Sequence, residues 1–187
     1  MTISTQQRMT AAEFLALPPD NVRSELVRGE VVVMSPSPSY DHGYAIIRLA
    51  YLLVGYAAAE KLGQLYSDLD CYFGPDDVRR PDLLYFAPDR LHLLAGDQKP
   101  HAPPDLCVEV LSPSNPGYDR TEKFDTYQAA GVPHYWIVDP MERTLEAYKL
   151  VDDVYVRSGH GTGNDVVHLP PFDGLAIPLA TLWRPRA

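Results

Sequence analysis

The chain has 187 residues, 45% of them hydrophobic, which is enough to bury one sizeable core and short for two, so we expect a single domain spanning residues 1–187. Its formal net charge is −9. This excess of acid predicts weak affinity for DNA in the absence of metal, because most duplex binders present a basic surface that neutralises phosphates and releases counterions. Carboxylates that hold divalent cations would present a positive site once metal is bound.

The first residues predict a short helix followed by a hairpin. Thr10 and Glu13 form a capping-box pattern, so a helix is expected over Met9–Leu17, with two prolines directly after it. Residues 24–34 contain two β-prone halves joined at Gly29, which predicts a β-hairpin.

A long apolar helix is predicted next. Residues 35–39 alternate serine and proline, which favours an extended loop, and residues 41–61 carry apolar side chains on nearly every side, which indicates a helix buried between other elements. The uncharged stretch 49–59 is about half of what a bilayer-spanning helix needs, and residues 1–20 lack the features of a signal peptide. We therefore expect a cytoplasmic protein with no membrane partner.

The remainder of the chain predicts a sheet flanked by helices. Strand-like segments occur at residues 65–73, 82–86, 106–111 and 134–138. A helix is expected over residues 119–130, and a hairpin over residues 144–150 and 154–157. Because the segment 106–111 is apolar on both faces, it should form a strand in the middle of a sheet that is covered on both sides. These elements predict an α/β fold with a central mixed β-sheet, flanking helices and additional β-hairpins.

The cysteines and histidines argue against a zinc site. Cys71 and Cys107 lie in separate apolar runs with no partner at zinc-site spacing, so both are expected to be buried free thiols. None of the six histidines pairs at i, i+4 with an intervening acid, which is the arrangement of a zinc-protease helix.

Glu109 is an unusual residue for its surroundings. It lies in the middle of the apolar run Leu106–Leu111, where an unpaired buried charge is costly, so a cation must meet it. Asp82 begins a second apolar strand, directly after Pro81. If the two strands are neighbours, both carboxylates point at one spot and form a hard-oxygen site suited to Mg²⁺ or Mn²⁺.

Lys123 is a candidate cation from the protein itself. It lies on the helix that follows the Glu109 strand, one turn from Asp119 and one turn from Tyr127, so it can reach back over the end of that strand. The alternative for Lys123 is a solvated helix lysine. The alternative for Glu109 is an ion pair with an arginine such as Arg80.

Several motifs, taken in chain order, carry a resemblance to a known family. They are Glu25 to Glu30, Met34 to Pro38 with His42, Arg80 to Asp82, Pro104 to Leu106 with Glu109 to Ser114, Asp119 with Lys123 and Tyr127, and Gly131 to Pro140. Together they resemble the Uma-type restriction endonucleases, once a domain of unknown function, within the PD-(D/E)XK nuclease superfamily. The resemblance covers nearly the whole chain.

This resemblance implies a restriction-endonuclease-like core in which Asp82 and Glu109 hold Mg²⁺ or Mn²⁺. The commonest version of the nuclease pattern has a lysine where this chain has Leu111, and the resemblance implies that Lys123 replaces it. The implied activity is that of a magnesium-dependent endodeoxyribonuclease, which hydrolyses phosphodiester bonds of DNA. The implied assembly is a homodimer, because cutting both strands of a duplex needs two sites related by a twofold axis.

Two further residues are candidates for the same site. Glu25 is a candidate outer acid near the metal, with a strand ion pair to Arg23 or Arg28 as the alternative. His42 lies at the start of the long helix, whose positive end favours anions, and is a candidate phosphate contact. A structural role at the helix start is the alternative for His42.

The sequence is also compatible with two other functions. A catalytically weak nucleic-acid or protein-binding module that keeps the nuclease fold would suit the acidic balance and the apolar Leu111. A glycosidase would use Asp82 and Glu109 as acid and nucleophile with no metal, although no aromatic-lined sugar cleft is evident. Tyr135 and Trp136 are predicted to lie in the core rather than to stack on bases.

Overall fold

The elements of the fold are defined in a computed structural model that describes residues 8–18, 22–34, 39–94, 100, 102–112 and 116–185. The helical segments are α1 (Ala11–Leu15), α2 (Tyr40–Glu60), α3 (Pro116–Tyr118), a π-helical turn (Asp119–Lys123), α4 (Phe124–Ala129) and 3-10 turns at Pro88–Leu94 and Leu179–Thr181. The strands are β1 (Ser24–Val27), β2 (Glu30–Val33), β3 (Gln64–Tyr66), β4 (Cys71–Gly74), β5 (Asp77–Arg79), β6 (Leu83–Phe86), β7 (Leu106–Val110), β8 (His134–Asp139), β9 (Thr144–Val151), β10 (Val154–Thr162), β11 (Val166–Leu169) and β12 (Phe172–Pro178).

A six-stranded mixed sheet forms the centre of the molecule, in the order β10-β9-β8-β7-β6-β3. Strands β7 and β8 run parallel, and the other neighbouring pairs are antiparallel. Every residue of β7 is buried, as expected for a strand covered on both faces. The predicted α/β fold with a central mixed sheet is confirmed.

Helix α2 covers one face of this sheet with one of its own faces. Its buried side chains recur at helical spacing: Ala45, Leu49, Leu53 and Ala57. The outer side of the helix is open, because Ile47 is 69% and Tyr51 is 72% exposed. The predicted burial on nearly every side was therefore wrong. An apolar composition does not by itself show how many neighbours a helix has.

The smaller sheet has the order β2-β1-β5-β4 and includes the predicted hairpin of residues 24–34. The prediction of one strand over residues 65–73 was wrong. That segment divides into β3, which joins the six-stranded sheet, and β4, which joins the smaller one. Asp68 lies between them with a φ of +55°, a left-handed conformation that cannot continue a strand.

Local sequence signals predicted the first helix and one of the later hairpins, and they missed another hairpin. The capping box of Thr10 and Glu13 is present at the start of α1, as predicted. The β9-β10 hairpin is present and longer than predicted, and the β11-β12 hairpin was not predicted. Phe172, the first residue of β12, packs edge-on against Trp136 in the core.

Other expectations concern burial. Cys71 and Cys107 are buried free thiols, and Tyr135 and Trp136 are fully buried, as predicted. The serine-proline loop falls mostly on residues 35–38, which lie outside the described residues. Within the described ranges, no helix has the length and hydropathy required to cross a membrane.

Candidate active site

Two carboxylates meet where strands β6 and β7 pair. Leu83 pairs with Val108 in antiparallel register, so Asp82, which directly precedes β6, lies opposite Glu109. The Asp82 carboxylate is 7% exposed, and its Oδ2 accepts a hydrogen bond of 2.8 Å from the Val110 backbone N–H. Two acids that are far apart in sequence thus share one buried location at the end of the sheet.

Lys123 supplies the cation that Glu109 needs. Its Nζ lies 2.8 Å from Glu109 Oε2, 3.3 Å from Asp119 Oδ1 and 3.6 Å from Glu25 Oε1. The side chain is almost fully buried. The expected proximity of Lys123 to Glu109 is confirmed, and the alternative of a solvated lysine was wrong. Arg80, the alternative partner of Glu109, pairs instead with Asp70 at 2.7 Å.

The helix that carries Lys123 differs from the prediction in its first turns. A regular helix from Asp119 was expected, but residues Asp119–Lys123 form a π-helical turn between α3 and α4. Such turns are rare and recur at functional sites. Phe124 then packs edge-on against the rings of Tyr148 and Tyr155 at centroid distances of 5.0 and 5.1 Å. The Phe124 ring anchors α4 to the sheet while the neighbouring Lys123 points into the charged cluster.

Glu25 lies in the same cluster, on strand β1 of the smaller sheet. Its Oε1 accepts a hydrogen bond of 3.1 Å from the Arg80 backbone N–H, and its Oε2 accepts one of 3.2 Å from the Tyr118 hydroxyl. The cation nearest to this second oxygen is Arg79, at 3.7 Å. The pairing with Arg23 or Arg28, considered from the sequence, is not what the structure shows.

His42 joins the cluster from helix α2. Its Nε2 lies 3.3 Å from Asp82 Oδ2, and its buried Nδ1 has no hydrogen-bond partner among the described residues. All five residues selected from the sequence therefore converge: His42 contacts Asp82, and Lys123 joins Glu25 to Glu109.

Two buried residues near the site, Tyr127 and Arg79, were only partly anticipated or missed. The Tyr127 hydroxyl donates a hydrogen bond of 2.6 Å to Glu109 Oε1, whereas the sequence suggested that Tyr127 helps to position Lys123. Arg79 is fully buried and donates hydrogen bonds to Asp77 at 2.6 Å and to the Tyr118 hydroxyl. Arginine in a short exposed-looking segment gives no signal of such burial, because the smaller sheet that encloses it is formed by distant strands.

The electrostatics of the cluster follow from burial and crowding. Burial opposes the charge on Lys123, but the carboxylates of Glu109, Glu25 and Asp119 outweigh it and raise the pKa of the ammonium well above its usual value. Burial raises the pKa of Glu109, and Lys123 opposes that shift only in part. Although burial alone would raise it, the pKa of Asp82 is lowered by His42 and Lys123. The cluster therefore carries more carboxylates than its cations neutralise.

The residue types at the site fit a hard divalent cation. Within the described residues, no group of three histidine, cysteine or acidic side chains is arranged to hold a metal. Mg²⁺, however, keeps several waters and is commonly bound through one or two carboxylates together with substrate phosphates. Asp82 and Glu109 supply those two carboxylates, and the surplus negative charge favours a cation there.

Comparisons with known proteins identify a family and a shared fold. A family model described as "Uma2: Putative restriction endonuclease" matches residues 11–180. The crystal structure of a putative nuclease belonging to DUF820 from Anabaena variabilis superposes with a TM-score of 0.78 at 22% identity, over 94% of this chain and 97% of that chain. An uncharacterized protein from Synechocystis is 26% identical over 156 residues, which cover 82% of this chain and 87% of the relative. The structural likeness shows a shared restriction-endonuclease-like fold.

Proposed function

Because the chain belongs to the Uma2 family, described as putative restriction endonucleases, we propose that it is a metal-dependent endonuclease that hydrolyses phosphodiester bonds of DNA. The observation that carries this proposal is the buried triad of Asp82, Glu109 and Lys123. The two acids come from adjacent strands, and the lysine ammonium lies 2.8 Å from Glu109. A structural role alone gives no reason to bury more acids than cations at the end of a sheet.

Asp82 and Glu109 are the residues that would hold Mg²⁺ or Mn²⁺. When bound, such an ion would polarise the scissile phosphate and lower the pKa of a water molecule. Lys123 stays protonated among its carboxylates and is suited to stabilise negative charge that develops on the phosphate. His42 and the Val110 N–H orient Asp82 through its Oδ2, which leaves Oδ1 for a ligand. Glu25, at 3.6 Å from the Lys123 ammonium, would help to orient it.

Neutralising either acid tests the proposal. Asp82→Asn and Glu109→Gln should abolish cleavage of plasmid DNA in Mg²⁺ or Mn²⁺, because each removes an anionic ligand at nearly constant volume. Glu142→Gln, in an exposed turn, is the control for the loss of one negative charge. Calorimetry should show that Mn²⁺ binding is lost with the first two changes and kept with the third. Unchanged Mn²⁺ affinity in both site variants would contradict the assignment.

A binding module that keeps the nuclease fold is the competing function. The acidic net charge and the buried Leu111, in place of a lysine, favour it. Wild-type protein that binds DNA and Mn²⁺ yet leaves plasmid and single-stranded DNA intact would make this the better description.

We also propose a homodimer, on the argument that cleavage of both strands needs two symmetric sites. Light scattering over a wide range of protein concentration tests it. A monomer at every concentration would contradict it without affecting the proposed chemistry.

A further inference from the structure

Arg23 lies beside the site without belonging to its buried cluster. It precedes strand β1, two residues before Glu25, and its side chain is 34% exposed. Its guanidinium lies 3.8 Å from Asp82 Oδ1 and 3.4 Å from Asp68 Oδ1. Arg23 is therefore a cation at the boundary between the carboxylate cluster and solvent.

The contacts of Arg23 are long for an arginine. Charge-assisted hydrogen bonds from arginine to carboxylate are usually about 2.7–2.9 Å long. Other arginines of this protein reach such distances: the pairs are Arg79 with Asp77 at 2.6 Å, Arg80 with Asp70 at 2.7 Å and Arg90 with Asp105 at 2.8 Å. Arg23 also donates a 3.5 Å hydrogen bond to the Arg80 carbonyl. Among the residues that the structure describes, its N–H donors therefore make no contact as short as those of the three pairs.

The two oxygens of Asp82 have different surroundings. Oδ2 accepts the Val110 N–H and lies beside His42, so it is already engaged. Among the described residues, the guanidinium of Arg23 lies near Oδ1, at 3.8 Å. A divalent cation held by Asp82 would use the same oxygen. Because like charges repel, it would weaken the hold of Asp82 on Arg23.

We propose that Arg23 is a phosphate-binding residue that alternates between two anions. Without metal it neutralises Asp82. With metal at Asp82 it is released, and its N–H donors bind a phosphate of the DNA substrate, which matches the two-pronged geometry of arginine. This inference rests on the proposed function. It predicts that DNA affinity rises when metal binds, although the net charge of the chain is −9.

The alternation requires two effects of opposite sign from one substitution. Arg23→Gln should bind Mn²⁺ more tightly, by about threefold or more, because a competing cation is gone and exposed ion pairs carry energies of this order. It should also bind a fluorescent DNA duplex in Ca²⁺ more weakly, by about tenfold, as expected for one lost arginine-phosphate contact. Calorimetry measures the first and fluorescence anisotropy the second, so neither depends on cleavage.

Two variants control this experiment. Arg157→Gln removes the same charge from the exposed side of β10 and should change neither affinity by more than a small factor. Arg23→Lys keeps a cation without the two-pronged geometry, so its Mn²⁺ affinity should stay near that of the wild type while DNA affinity falls.

Each result decides between the possibilities. The alternation would be overturned if Arg23→Gln and Arg157→Gln had equal affinities for Mn²⁺ and for DNA, or if Arg23→Gln lowered both affinities. In either case, Mn²⁺ binding by the wild-type protein would leave the proposed metal site intact. Wild-type protein that binds no Mn²⁺ would overturn the alternation and the proposed metal site together.

Discussion

The two faces of the six-stranded sheet bury very different groups. Towards α2, strand β7 presents Leu106, Val108 and Val110 to an apolar core. Towards α4, the same strand presents Glu109 to Lys123 and Tyr127. Successive side chains of a strand point to opposite faces, so one strand serves both regions. Both faces also bury apolar side chains, so packing stabilises both of them. The comparison teaches that the ion pairs added on the charged face contribute little net stability while both partners of each pair are present, although removing one partner is costly.

The largest expected effect tests the charged face. Lys123→Met should slow cleavage by about 10²-fold or more, because one positioned electrostatic group is lost. It should also destabilise the protein by roughly 3–5 kcal/mol, since Glu109 then lacks its buried cation. Cleavage assays and urea unfolding measure the two quantities.

The double variant Lys123→Met with Glu109→Gln sharpens this test. Removing both partners should recover part of the lost stability, because Glu109 no longer leaves an unpaired buried charge, and cleavage should be absent because a proposed metal ligand is lost as well. A double variant as unstable as Lys123→Met alone would show that the lysine contributes through packing instead.

The apolar face should respond in the opposite way. Leu53→Ala removes a fully buried side chain of α2 and should cost about 2–5 kcal/mol of unfolding free energy. Cleavage per folded molecule should stay near the wild-type rate, because Leu53 lies about three turns along α2 from His42, the residue of that helix that contacts Asp82. A large loss of activity in fully folded Leu53→Ala protein would show that the two faces are not independent.

A smaller effect is expected from the hydroxyl that holds Glu109. Tyr127→Phe removes a hydrogen bond to Glu109 and should cost about 0.5–1.5 kcal/mol of stability, with slower cleavage at saturating DNA. Tyr155→Phe is the matched control, since its hydroxyl donates to the Val132 carbonyl on the same face. Equal activity in the two variants would argue against a role for Tyr127 in orienting Glu109.

The smallest effect concerns the outer edge of the charged face. Arg120, on the π-helical turn, pairs with Glu146 of β9. Burial opposes the shift, but the hydrogen bond from Arg120 lowers the pKa of Glu146. A lowered pKa in the folded state stabilises above the pKa of the unfolded chain, and that contribution is lost as pH falls below about 4.5. Glu146→Gln should therefore remove roughly 0.2–1 kcal/mol at neutral pH.

The pH dependence checks the sign of that prediction. Thermal melts should show the deficit of Glu146→Gln at pH 7 and its decrease as the pH falls below about 4.5, because wild-type Glu146 becomes protonated and loses its charge. Glu142→Gln, in the adjacent exposed turn, is the control for the charge change. A deficit that grows on acidification would contradict the assigned direction.

Local patterns in the sequence were sufficient for several features. The capping box of Thr10 and Glu13 involves groups three residues apart, so it forms wherever the chain begins that helix. The burial of Glu109 follows from the apolar residues on both sides of it along one strand. The pairing of that strand with the one after Asp82 was inferred from the sequence, and the structure contains it. This pairing brings both acids together, because the side chains of residues directly opposite each other on neighbouring strands lie close together.

Contacts between distant segments decided the rest. The sequence gives no local reason for Arg79 to be fully buried, because its partners Glu25 and Tyr118 come from distant parts of the chain. The π-helical turn before Phe124 likewise reflects packing of that ring on β9 and β10. Periodicity identifies which side chains seek burial, whereas only the pairing of strands and the docking of helices determine which surfaces meet. The residue pattern was therefore sufficient to select the two acids and the lysine as candidates, whereas the tertiary structure determined which charged groups surround them.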